Sequence, residues 1–274
     1  MNLRWHAKKV ARRGVAMGAW AGESLRGPTA PRVHVLTYHR FGDVPRDPFC
    51  VAPHDFERQM RWLADEGRAI ALADLESFLA GRGTLRDGAV LVTVDDGFRS
   101  LLVEALPILR RHGIPAVAFV PAGLVGERED GEEARLDWSE LEALRAAGVV
   151  VGSHAWSHRS LGKMEPDAAR TEMTRSRAVL EQRLGAAVTA FAYPYGTRAD
   201  FSDATTAALR QAGYTCGFTS QHGAIGRDID PLLLPRVKVE GGEGLWLFRR
   251  LCAGGLDAWR MVDQTLWRLQ ASGS

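Results

Sequence analysis

The chain of 274 residues contains no apolar run of about 18 residues, so nothing in it reads as a membrane-spanning helix. Cysteine is scarce. Cys50, Cys216 and Cys252 stand far apart without a C-x-x-C pair, which argues against a cysteine-based zinc site and leaves open one disulfide with one free thiol. Charge excess is also lacking: 35 basic against 33 acidic side chains leave a formal +2. The basic residues are not interleaved with aromatics, so no nucleic-acid partner is expected. Internal repeats and low-complexity linkers are absent as well. What is present is ordinary for a globular protein, with 46% apolar and 25% charged residues, enough for one large domain.

One local absence stands out. No acid precedes Glu23, while Arg4, Lys8, Lys9, Arg12 and Arg13 are all basic. The apolar stretch that follows, GVAMGAWAG, is short and dominated by glycine and alanine. Three readings stay open for residues 1–30: a cleaved signal, a solvated extension, or a basic helix. On such a helix Leu3, Trp5, Val10 and Met17 would share one side, and residues 1–20 would touch an anionic membrane surface. The expected location is the cytoplasm, peripherally at the inner membrane, rather than secreted or periplasmic.

From residue 31 onward, strand and helix patterns alternate. Apolar runs end at Tyr38–His39 and occupy 90–94, 116–120, 149–153, 189–194, 214–220 and 235–240. Helical spacing with glycine stops marks 52–67, 72–81, 101–112, 137–148, 166–184 and 202–213. Most strands are continuously apolar, the mark of a parallel sheet covered on both faces. Six or seven such units over about 220 residues fit a barrel better than an open sheet, and a barrel carries its chemistry at the C-terminal strand ends.

The unusual polar residues fall at those ends. VLVTV runs into Asp95 and Asp96, whose side chains should diverge because neighbours on a strand point to opposite faces. SHAWSH places His154 and His158 four apart, which on a helical turn would put both imidazoles on one face. Two histidines and a carboxylate form a three-ligand metal site with an open position. Adjacent carboxylates can divide the work, one holding the ion and the other taking a proton from water. A glycosidase pair is disfavoured, since neighbouring carboxylates diverge and the histidines would be unexplained. In FAYPYG, a rigid turn would aim the Tyr195 N–H into the site as an oxyanion donor.

TVDDG, SHAWSH and YPYG, in this order, resemble the polysaccharide deacetylases of carbohydrate esterase family 4, the NodB-homology domain, across about residues 31–250. The resemblance implies an α/β fold, a distorted (β/α)7 TIM-like barrel in a single domain, and metal-dependent removal of acetyl groups from sugars. It implies Asp95 as general base, with Asp96, His154 and His158 as metal ligands. Tyr195 is the implied oxyanion donor, and Tyr38, Pro194 and Trp138 are expected substrate contacts. Zinc is the expected ion, with nickel, cobalt or manganese as alternatives. Two departures matter. The position where many members carry an arginine that orients the base is Ala192, and Arg236 in LPRVKV is the candidate replacement. The late histidine acid is missing. The branch resembling poly-N-acetylglucosamine deacetylases draws its acid from an early YH strand end, and LTYHR supplies His39. Nearby carboxylates should raise the pKa of His39, and His222 in TSQHG is the reserve acid.

The expected organisation is a basic extension at 1–30, a catalytic domain at 31–255 and a helical tail at 256–274. The expected partner is an N-acetylated glycan. The close alternative is a lipid-linked sugar at the membrane, which Trp246, Trp259 and Trp267 in the tail would suit. The alternative of another class is a non-catalytic sugar-binding barrel, whose mark would be a lost ligand or base.

Overall fold

Strand β1 (Val33–Tyr38) is buried at every position. So is β4 (Ala89–Val94), which follows the short parallel pair β2 (Arg40–Phe41) and β3 (Cys50–Val51). The same holds for β5 (Ala116–Val120), β7 (Ala190–Ala192) and β8 (Cys216–Phe218), while β6 (Val150–Ser153) and β9 (Val237–Lys238) each keep one less buried residue. Burial on both faces is the reason the strands read as unbroken apolar runs. A computed structural model describes residues 2–23, 31–128 and 133–265. All seven strands of the large sheet run parallel in the order β8-β7-β6-β5-β4-β1-β9.

The sheet curls into the expected distorted barrel. Phe119 on β5 and Phe218 on β8 lie three places apart in the strand order, yet their rings meet at 5.3 Å. Phe218 also bridges Leu234 in parallel, so the segment leading into β9 closes the ring. Val33, Val35, Leu91, Val117 and Phe119 fill the interior together with Leu72, Leu75 and Phe78 of helix α3 (Leu72–Leu79). Alternate residues such as Leu36, Val92 and Val120 form a second cluster with the surrounding helices. Each buried side chain of this size contributes about 1.5–3 kcal/mol by leaving water.

The other helices are α1 (Asn2–Glu23), α2 (Pro53–Asp65), α4 (Leu106–His112), α5 (Trp138–Ala146), α6 (Pro166–Leu184), α7 (Asp203–Gln211), α8 (Gly244–Cys252) and α9 (Arg260–Thr265). Caps explain several of their ends. Asp137 accepts from the Glu140 N–H and Ser202 from the Thr205 N–H, while Gly113 and Gly185 end α4 and α6 in the left-handed conformation. The expected helix over 101–112 begins instead as a wider π turn at Leu101–Ala105, just ahead of Pro107, which has no N–H to donate. The late strands are shorter than the apolar runs suggest, at both ends of each run.

Helix α1 does not stand apart as an extension. It packs against α8 and the turn at Asp257–Trp259, with Lys9, Arg12 and Ala16 buried and Val10 and Met17 exposed. The side chains of Leu3, Trp5 and Trp20 lie outside the described residues, as do positions 24–30 and 266–274, Trp267 among them. Cys50, Cys216 and Cys252 are all free and buried. Among the described residues no helix is long and apolar enough to cross a membrane.

Candidate active site

The strand ends converge on one cavity of 760 Å³, bordered by His39, Asp95, Asp96, His154, His158 and Tyr195. Asp95 continues β4 by one residue, its N–H donating to the Tyr38 carbonyl at 2.9 Å. Strand alternation then sends its side chain into the barrel, on the face that carries Leu91. Asp96 leaves the strand with φ of 71°, and the Arg135 guanidinium donates to its carbonyl at 2.5 Å. The adjacent carboxylates do not diverge as strand alternation predicts: the positive φ turns Asp96 back into the cavity that Asp95 faces, and His154 Nε2 lies 3.9 Å from Asp95 Oδ2 and 3.4 Å from Asp96 Oδ1.

Arg236 meets Asp95 as a two-pronged fork, Nη1 to Oδ1 and Nη2 to Oδ2 at 2.7 Å each. Its Nε donates to the Thr219 carbonyl at 2.9 Å. Both side chains are almost entirely out of water. Burial alone would push the Asp95 carboxyl up, but the Arg236 guanidinium against both its oxygens holds it below the usual carboxylate range. Where Ala192 offers Asp95 no partner, Arg236, the residue just before β9, meets it. Replacing Arg236 with Met should strand a buried carboxylate and lower stability by about 3–5 kcal/mol in urea unfolding. Unchanged stability and activity in that variant would show that the fork supports nothing.

His154 and His158 are brought together, but not by a helical turn. The segment after β6 is a loop, in which Ala155 and His158 take φ of 62° and 57°. Glu172 of α6 shapes it, accepting from the N–H groups of Trp156 and Ser157 and from the Ser157 hydroxyl. Positive φ at a non-glycine residue costs energy that the surrounding contacts must offset, and such positions cluster at functional sites. Among the described residues, four of the five cases are Asp96, Ala155, His158 and Tyr195.

Asp96, His154 and His158 each offer one donor atom, all within 4.8 Å of one another. Both Nε2 atoms face the same oxygen, Asp96 Oδ1, at 3.4 and 3.0 Å. The Nδ1 of His154 donates to the Ala192 carbonyl at 2.7 Å, the support usual for a metal-binding imidazole. That bond leaves Nε2 as the ring atom that faces the carboxylate, where a cation or a proton fits between them. Burial pushes the Asp96 carboxyl up, but hydrogen bonds from His154 and His158 outweigh it and hold the group well below the usual range. The donor set fits a divalent ion.

His39 borders the cavity edge-on to Phe49, and its Nδ1 is buried without a hydrogen bond. Its pKa is not raised as expected. Burial takes it down to about 4, outweighing the pull of Asp96 and Asp95. Tyr195 is 57% exposed, and its ring lies 5.1 Å from that of His158. Gly196 behind it is obligatory, since a Cβ there would come within 2.6 Å of the Ser220 nitrogen.

Three expected substrate contacts are not at the cavity. Tyr38 is wholly buried, its hydroxyl donating to Gln59 and its ring packed on Phe56, because the last side chain of β1 points into the helix layer. Trp138 opens α5 beneath the Arg183 guanidinium. Pro194 is buried behind the turn, where Tyr195 and Thr197 face the cavity instead. Sequence reasoning missed Glu172 and Arg135, whose only signal is charge on a helix and in a loop. His222 shares the cavity wall, its Nδ1 held by Asp263 at 2.9 Å.

A parallel barrel with an ionised, arginine-held carboxylate beside an Asp–His–His donor set defines a hydrolase-type site. The sequence profile of the polysaccharide deacetylase family matches residues 82–217. The chain is 22% identical over 200 residues to the poly-beta-1,6-N-acetyl-D-glucosamine N-deacetylase of Staphylococcus aureus, covering 70% of this chain and 68% of that one. Among solved structures, IcaB from Ammonifex degensii is 27% identical with a TM-score of 0.70, covering 83% of this chain and 98% of that one. The Streptococcus pyogenes deacetylase PplD, solved with acetate, is 25% identical with a TM-score of 0.70, covering 77% and 94%.

Proposed function

We propose that this protein hydrolyses the N-acetyl group of an amino sugar within a poly-N-acetylglucosamine-type glycan, using a divalent ion held by Asp96, His154 and His158. The observation that carries the reading is the fork of Arg236 on Asp95, which keeps a general base ionised beside the donor set. The two imidazoles and one carboxylate suit zinc, with nickel, cobalt and manganese as alternatives. When bound there, such an ion supplies Lewis-acid polarisation of the acetamide and lowers the pKa of water.

The chain's own groups do the rest. Asp95 accepts a proton from the attacking water. No hydrogen bond among the described residues uses the Tyr195 N–H, which is free to donate to the oxyanion. His39 protonates the leaving amine. It is neutral in the free protein, so it must first take up a proton from solvent as negative charge builds on the bound substrate, and it passes that proton to the amine. The exposed ring of Tyr195 at the cavity rim offers a flat apolar face to a pyranose, whereas Phe49 carries the Lys238 ammonium over its ring.

Acetate release from β-1,6-linked N-acetylglucosamine oligomers, set against β-1,4-linked ones, tests the substrate. Release from neither would overturn the reading. His39→Ala tests the acid. The variant should slow amide hydrolysis about 10²-fold or more but slow an activated aryl acetate far less, because a phenolate leaves unprotonated. Equal losses on both substrates would make His39 a positioning group. No loss on either would pass the role to His222.

A further inference from the structure

Helix α1 carries two cations that do not face solvent. Lys9 and Arg12 are 8% and 1% exposed. The Nε of Arg12 donates to Glu243 Oε1 at 2.6 Å, and its Nη2 donates to the Lys238 carbonyl at 2.8 Å. The Nζ of Lys9 stands 3.1 Å from Glu240 Oε2, while Glu243 Oε2 accepts the Glu240 N–H at 3.0 Å. Two cations and two carboxylates thus neutralise one another out of water, where an unmatched member would be costly. Arg12 also borders the active-site cavity.

The carbonyl that Arg12 grips belongs to β9, with two residues the shortest strand of the large sheet. Arg236, which holds both oxygens of Asp95, immediately precedes that strand. On its other side β9 hangs on β1 through Val237 and Lys238, with the Val239 N–H donating to the Thr37 carbonyl at 3.0 Å. The Arg236 N–H also donates to the Gln221 carbonyl at 3.0 Å, but β9 beyond it has only this short ladder, and the bond from α1 restrains it from outside the sheet.

We propose that Arg12 is a positioning residue for the deacetylation: through the Lys238 carbonyl it fixes β9, and with it Arg236, so that the Asp95 carboxylate keeps its place against the attacking water. Residues 2–23 are then part of the catalytic unit rather than an extension. The inference rests on Asp95 being the base.

The test uses the full chain with Arg12→Met, Arg12→Lys, and Arg12→Met combined with Glu243→Gln. Arg12→Met should lower Tm and reduce kcat about tenfold or more, since small misplacements of a reacting group are expensive. KM should stay within about twofold, because Arg12, although it borders the cavity, is 1% exposed and offers substrate almost no surface. The double variant leaves no unmatched carboxylate, so Tm should recover while kcat stays low, and Arg12→Lys should recover part of kcat. Amide exchange at Val239 should be faster in Arg12→Met and in the double variant. Recovery of kcat together with Tm in the double variant would make Arg12 merely structural and overturn the proposal, as would unchanged exchange at Val239. Parental kcat in Asp95→Asn would instead sink the reading of the base, while the exchange measurement, which needs no activity, still reports whether Arg12 holds the strand.

Discussion

Replacing Asp95 with Asn should lower kcat for deacetylation about 10²–10⁴-fold, the usual worth of a general base, while bound metal is retained. The substitution is nearly isosteric. The Arg236 fork keeps one oxygen partner, and none of the three donor atoms changes. Asn cannot accept a proton from water, so the loss should fall on kcat. Elemental analysis beside acetate release separates the two carboxylates. Loss of metal in Asp95→Asn, with metal kept in Asp96→Asn, would reverse their assigned roles.

The second large effect concerns the donor set. His154→Ala and Asp96→Ala should each lose bound metal together with activity, leaving the barrel folded. Both donors belong to one cluster, with two Nε2 atoms facing a single carboxylate oxygen. Three protein ligands are the minimum for a closed hold with one open position, and removing one leaves too few. Parent protein stripped with a chelator should gain Tm when zinc is restored, because an ion that binds only the native state stabilises it by mass action. The same addition should leave Tm of the variants unmoved. Zinc retained in either variant, with activity, would place the ion elsewhere.

Much of this was legible from residue order because it follows from short-range periodicity. Unbroken apolar runs such as Ala116–Val120 mean a strand covered on both faces, and their alternation with helices means a parallel barrel. Strand geometry points Asp95 into the barrel, but it does not extend to Asp96, whose positive φ turns its carboxylate to the same cavity. Local signals also misled. The spacing of His154 and His158 is that of a helical turn, but the loop that joins them depends on Glu172, and nothing in the hexapeptide encodes that contact. Tyr38 stands next to His39 in sequence and faces the opposite way, into the helices.

Most strands and helices, and the residue types at the strand ends, follow from neighbours within a few positions. Which distant charges meet is settled by packing. Arg236 reaches Asp95 across 141 positions and Arg12 reaches Glu243 across 231, because barrel closure and the docking of α1 bring them together. Packing also decided the protonation of His39, where the loss of solvent outweighs the attraction of two carboxylates. Burial is a property of the whole packed chain, and no stretch of residues carries it alone.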